Sequence, residues 1–288
     1  MKIGAVLPHN EIGTDRGAIK AYLEGLEGLG IDHLLVYDHV LGADADRPEG
    51  FSGPYDKAVA FHEPFTFLAF AAAVTERLGL ATTVLILPQR QTALVAKQAA
   101  EVAVLSGNRL RLGVGIGWNQ VEYEALGVPF TRRGARIDEQ VDLLGRLWSE
   151  DSFSFGGDFH TVTRAGINPL PERPVPIWFG GSAPAALRRC ATRGDGWMPI
   201  GSPNEKTGEM IRLMRETRVE AGLGDAQFGI QAQAQYAGGT PERWASSASR
   251  WKDLGATHLA VATHRAGDTD VDGHLARVGE YIAAVSEV

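Results

Sequence analysis

Three short stretches of this chain carry residue types and spacings that suit chemistry. Asp38 and His39 sit side by side at the end of an apolar run, HLLVYDH (33–39). A carboxylate next to an imidazole can fix its tautomer or move its pKa towards neutrality, which suits a general acid or base, although a single histidine can also serve structure alone. The stretch NRLRLGVGIGWN (108–119) alternates Leu110, Leu112, Val114 and Ile116 with Gly113, Gly115 and Gly117, so one face of a strand is bare and a flat or anionic ligand can reach backbone. Its spacing is GxGxG rather than the GxGxxG of a dinucleotide fold, and it lies on the fourth expected strand, which disfavours a nicotinamide site. Finally, Gly180, Gly181 and Ser182 precede Pro184 at a strand-to-helix turn. Such a turn either offers bare N–H groups and a positive dipole to an anion or is a plain helix cap with Ser182 near the first position.

Other chemistries lack their residues. The eight histidines show neither His-x-His nor His-Glu-x-x-His, so no metal is expected, and Cys190 stands alone as a small buried residue with no partner for a disulfide or zinc cluster. Lys plus Arg number 28 against 35 Asp plus Glu, a net charge of -7 that disfavours nucleic acid and anionic membrane. The chain opens directly into a strand pattern, and no apolar stretch reaches about 18 residues, so neither export nor membrane anchoring is expected and the setting is read as cytoplasmic. Trp118, Trp178 and Trp197 fall near strand ends, the last two as core filling and Trp118 as a wall of the site.

The elements that must position these residues alternate along the chain. Strands are expected at 3–8, 33–39, 80–87, 108–119, 177–180, 196–200, 228–236 and 258–263, and helices at 16–29, 65–77, 92–105, 132–148, 184–192, 205–220, 241–254 and 271–285. Eight strand-plus-helix units in 288 residues predict a single domain over 1–288, an α/β (β/α)8 TIM barrel, with an open eight-stranded sheet as the alternative. A turn-rich insertion with two hairpin-like runs, 151–176, falls between strands four and five, and the long loop 42–64 after strand two suggests a lid or binding loop. In a barrel the loops after the strands carry function, which places His9, Asp38, His39, the glycine mouth and the turn at Gly180 on one rim.

Taken together, VYDHV (36–40), the run from Leu80 to Trp118, EYEALG (122–127), RPVPIWFGG (173–181) and RGDGWMP (193–199) resemble the luciferase-like monooxygenase superfamily, and particularly its branch that uses the deazaflavin coenzyme F420. The resemblance covers about the middle two-thirds of the chain. It implies a TIM barrel, dimeric as a rule, with a flavin or deazaflavin at its C-terminal mouth and a non-proline cis peptide at Thr83–Val84 behind the ring. Carried over by position, Asp38 would bond the ring region, and His39 would be the catalytic acid/base or would orient the substrate. Thr83, Val84, Gly115, Ile116 and Gly117 would approach the cofactor, and Gly180, Gly181, Ser182 and Ala183 would bind its phosphate. His9 and Trp118 would line the substrate pocket. Where sugar-phosphate dehydrogenases of the family carry a Glu after the glycine mouth, this chain has Trp118, which favours a more apolar or planar substrate. The implied activity is hydride transfer between F420 and a small organic molecule. The alternatives are an FMN-dependent monooxygenase and a barrel that binds the cofactor without turnover.

Overall fold

The structure is a computed structural model that describes residues 1–267 and 270–288. Its strands are β1 (Lys2–Val6), β2 (His33–Val36), β3 (Gly79–Thr82), β4 (Leu85–Ile86), β5 (Leu110–Gly115), β6 (Phe153–Gly156), β7 (Thr161–Ala165), β8 (Ile177–Gly180), β9 (Gly196–Met198), β10 (Gly229–Gln235) and β11 (His258–Ala262). The helices are α1 (Arg16–Gly28), α2 (Pro64–Val74), α3 (Thr92–Leu105), α4 (Gln120–Ala125), α5 (Arg133–Ser149), α6 (Pro184–Arg193), α7 (Glu205–Glu220), α8 (Pro241–Asp253) and α9 (Val271–Val285).

Every pairing in the main sheet is parallel, and the order β3-β2-β1-β11-β10-β9-β8-β5-β4, joined by β3 to β5, returns on itself. This is the closed eight-stranded barrel expected from the alternation, with β3 and β4 as two halves of one strand. They meet β5 in successive registers, Leu80 opposite Leu110 and Leu85 opposite Val114. Between the halves the Thr83–Val84 peptide is cis, as the resemblance implies. A 3-10 turn at Leu87–Gln89 then leads into α3. β6 and β7 form the antiparallel hairpin of the insertion.

Side-chain alternation divides the apolar residues into two layers. Leu34, Val36, Leu80, Leu112, Val114, Leu259 and Val261 point outward into the main core under the helices. Val6, Leu35, Ala81, Ala260 and Ala262 make a second, small-residue cluster within the ring. At the N-terminal end of the barrel Arg111 lies over the Trp178 ring at 4.6 Å and donates to Gln231 at 3.1 Å, with His33 and His258 edge-to-face beside them. These side chains pack into the N-terminal end of the barrel.

Helix ends follow the local chemistry. Asp15, Asn119, Asn204, Thr240 and Asp270 cap their helices by accepting a backbone N–H. α2 stops at Val74, short of the 65–77 expected from its apolar pattern. The Glu27 carboxylate collects the N–H groups of Glu76, Arg77 and Leu78 and so satisfies the turn into β3 outside a helix.

Candidate active site

The C-terminal rim encloses a cleft of two connected lobes, about 460 Å³ and about 760 Å³, which share Tyr37, Tyr55, Thr83, Val84, Gly180, Gly181 and Ile200. The smaller lobe gathers twelve of the thirteen residues singled out from sequence. Asp38, His39, Thr83, Val84, Gly115, Ile116, Gly117, Trp118, Gly180, Gly181, Ser182 and Ala183 all line it.

Val84 is the ridge between the lobes, and the glycines beside it leave no room for any side chain. A Cβ on Gly115 would fall 2.6 Å from Val84 Cγ2, and one on Gly180 would fall 3.0 Å from Val84 Cγ1. On the wall shared by the lobes, Tyr37 Oη donates to Gln233 Oε1 at 3.1 Å, and Gln233 Nε2 donates to Thr83 Oγ1 at 3.1 Å. This chain ties β2, β10 and the peptide before Val84 together.

The turn at Gly180 ends in α6, whose first position follows Ala183. Ala183 has no oxygen in its side chain, so no side-chain cap occupies the helix N-terminus. Gly181 takes φ +104, and its carbonyl accepts from Trp197 Nε1 at 2.9 Å. In a planar trans peptide the N–H of Ser182 then points the opposite way, away from Trp197. Of the two sequence readings of this turn, the Ser182 cap is not adopted; Ala183 is the N-cap, and the Ala186 N–H donates to its carbonyl at 2.8 Å.

Asp38 and His39 part company. Asp38 is buried, with Oδ2 accepting from the Ile86 N–H at 2.8 Å and Oδ1 from Arg90 Nη2 at 2.7 Å, while Arg90 also reaches Glu63 at 3.6 Å. The carboxylate that meets His39 is Glu122 of α4, 3.2 Å from Nδ1. Around the imidazole stand Tyr55, Phe61 and Trp118, with ring centroids 5.1, 4.7 and 5.8 Å away. Two of these, Tyr55 and Phe61, come from the loop 42–64, within which an Ala43–Asp56 bridge closes its first part. Phe51 of the same loop sits beside Trp118.

His9 is the exception among the expected residues. It lies behind the wall, stacked on Tyr37 at 5.4 Å, with Nε2 accepting from the Tyr37 N–H. Burial, helped by His62, His264 and His39, lowers its pKa to about 3. His9 therefore backs Tyr37 as a neutral ring and does not face the cleft. Glu122, Tyr55 and Gln233 were missed as site residues. Glu122 lies within the quoted EYEALG run, yet its short helix gave no periodic signal.

A closed barrel whose C-terminal rim joins a side-chain-free slot, an uncapped helix start and a histidine in an aromatic enclosure defines the class: a TIM barrel with its cleft at that rim. The luciferase-like monooxygenase family matches residues 1–280, and the chain belongs to that family. An uncharacterised protein of Mycobacterium tuberculosis is 45% identical over 162 residues, 56% of this chain and 56% of that protein. The chain thus matches only about half the length of such relatives. An F420-dependent glucose-6-phosphate dehydrogenase of Amycolatopsis mediterranei is 31% identical over 181 residues, 62% of this chain and 51% of the enzyme. Among solved structures, an F420-dependent secondary alcohol dehydrogenase in complex with an F420-acetone adduct superposes with a TM-score of 0.78 at 19% identity, covering 99% of this chain and 98% of that one. A monooxygenase from Streptomyces bottropensis gives 0.77 at 20%, covering 100% and 99%. These likenesses concern the fold. Among the described residues no helix is long and apolar enough to cross a membrane.

Proposed function

We propose that the chain is an oxidoreductase that moves hydride between coenzyme F420 and a small, uncharged, flat or apolar organic substrate. The observation that carries this reading is the make-up of the smaller lobe. One continuous surface runs from the His39 enclosure past the Val84 ridge and the glycine slot to the uncapped start of α6. That order of features suits a tricyclic ring with a phosphate-ended tail, and the F420-dependent relatives support F420 as its identity.

When bound, F420 supplies a ring carbon that accepts or gives hydride. The chain does the rest. Gly115 and Gly180 keep Val84 where it supports one face of a ring, and the N–H groups at the start of α6 receive the phosphate. Tyr55, Phe61 and Trp118 keep water from His39. His39 holds or releases the substrate proton, because Trp118 at the mouth cannot and Asp38 is committed to Arg90. Small substrate, soluble setting and homodimer belong to the same proposal.

Titration of the purified chain with F420 and with FMN tests the reading, with bound ligand followed by fluorescence. F420 is expected to bind at least about tenfold more tightly than FMN, roughly 1.4 kcal/mol. The reverse preference would favour the FMN-dependent monooxygenase. His39→Ala is expected to lower turnover by about 10²- to 10⁴-fold with cofactor binding kept. Turnover that ignores this change across a substrate panel, with tight binding intact, would leave only a binding protein.

A further inference from the structure

Glu122 is an unusual residue to find on a six-residue helix. It is fully buried, it is not among the groups the mechanism above uses, and it gathers donors from three directions. Oε1 accepts from the Val40 N–H at 2.9 Å and the Leu41 N–H at 3.4 Å and faces His39 Nδ1 at 3.2 Å. Oε2 accepts from Gln89 Nε2 at 3.3 Å. Burial alone would raise its pKa, but the bonds from His39, Gln89 and Val40 outweigh that and lower it, so the group is an anion.

A carboxylate only accepts hydrogen bonds. Facing one, Nδ1 of His39 has to be N–H, and the lone pair of the neutral ring has to sit on Nε2. We propose that Glu122 is the positioning residue of this site: it holds His39 in the Nδ1–H tautomer, turns Nε2 towards the substrate, and stabilises the imidazolium once Nε2 takes a proton. This rests on the assignment of His39 to proton handling. The balance is simple. With a hydride acceptor bound, an alcohol would pass its O–H proton to Nε2 as its carbon gave up hydride and its oxygen became a carbonyl; in the reducing direction each transfer would reverse.

The other titratable groups around His39 are Tyr55 and His62 of the loop 42–64, His9 in the turn beyond β1, and the Asp38–Arg90 pair. Burial keeps His9 neutral, and Asp38 is paired with Arg90. Among the described residues, Glu122 alone makes a polar contact with the ring.

Glu122→Gln keeps the shape and removes the charge. It is expected to lower kcat at least about tenfold with little change in KM or in cofactor Kd. It is also expected to move the inflection of the pH–rate profile to lower pH, because the imidazolium loses its counter-ion. An unshifted profile with unchanged kcat in a folded variant overturns the proposal. A second arm needs no cofactor: nitrogen chemical shifts of His39 in the wild-type chain, assigned against His39→Gln, report the tautomer. Protonated Nδ1 with bare Nε2 near pH 8 supports the role, and protonated Nε2 with bare Nδ1 overturns it. This arm decides even where the cofactor assignment fails, so the two failures are distinguishable.

Discussion

Adding one methyl group at Gly115 tests whether the slot beside Val84 is what receives the cofactor ring. The new Cβ would lie 2.6 Å from Val84 Cγ2, and carbon atoms pack at about 3.5–4.0 Å, so Val84 has to retreat by about 1 Å. Branching at Cβ restricts the χ1 of Val84, which limits how far its methyl groups can swing aside. Overpacking of this kind costs about 1–3 kcal/mol. If the displaced ridge is the surface on which the ring rests, Gly115→Ala weakens cofactor binding by about 5- to 150-fold. Gly145→Ala is the control, because a Cβ there meets nothing within 4 Å and the site lies within α5. It is expected to leave binding untouched and to stabilise the chain by about 0.5–1 kcal/mol. Fluorescence titration of both variants, with circular dichroism to confirm folding, gives the comparison. A folded Gly115→Ala chain that binds F420 and FMN like the wild type would show that the ring lies elsewhere.

Two further outcomes follow from buried charge. Burial foremost, then neighbouring cations, lowers His9 and His258 to about 3 and His33 well below its ordinary value of 6.5. The unfolded chain therefore binds more protons below 6.5, and stability falls with falling pH at about 1.4 kcal/mol per pH unit for each ring. Urea melts are expected to show lower stability at about pH 5.5 than at about pH 7.5, by about 1.4 kcal/mol from His9 alone, and equal midpoints would refute this. Arg90→Met leaves the Asp38 carboxylate, 1% exposed, without its counter-ion and is expected to cost about 3–5 kcal/mol in the same assay. Adding Asp38→Asn should recover part of that loss, and simple additivity of the two changes would argue against the pairing.

The barrel and most of its cleft were legible in the chain. Alternation such as Leu110, Leu112 and Val114 against Gly113 and Gly115 specifies both strand and facing, and the order of strands and helices specifies closure. Partnerships between side chains were not. Asp38 and His39 adjoin in sequence, but neighbours on an extended chain point to opposite sides, so Asp38 went to Arg90 and His39 met a carboxylate 83 residues away. The helix that brings that carboxylate is six residues long, too short for periodicity to reveal. His9 lies in the turn three residues beyond β1, which stops at Val6 and not at the expected residue 8. Yet the Tyr37 ring comes between it and the cleft, which only the packing shows.

The packing of Arg111, Trp178, His33 and His258 at the foot of the ring has a bearing on traffic. A barrel filled there is a cul-de-sac rather than a conduit. On the proposed reading, reactant and product then come and go by one doorway, beside the loop that carries Phe51, Tyr55 and Phe61.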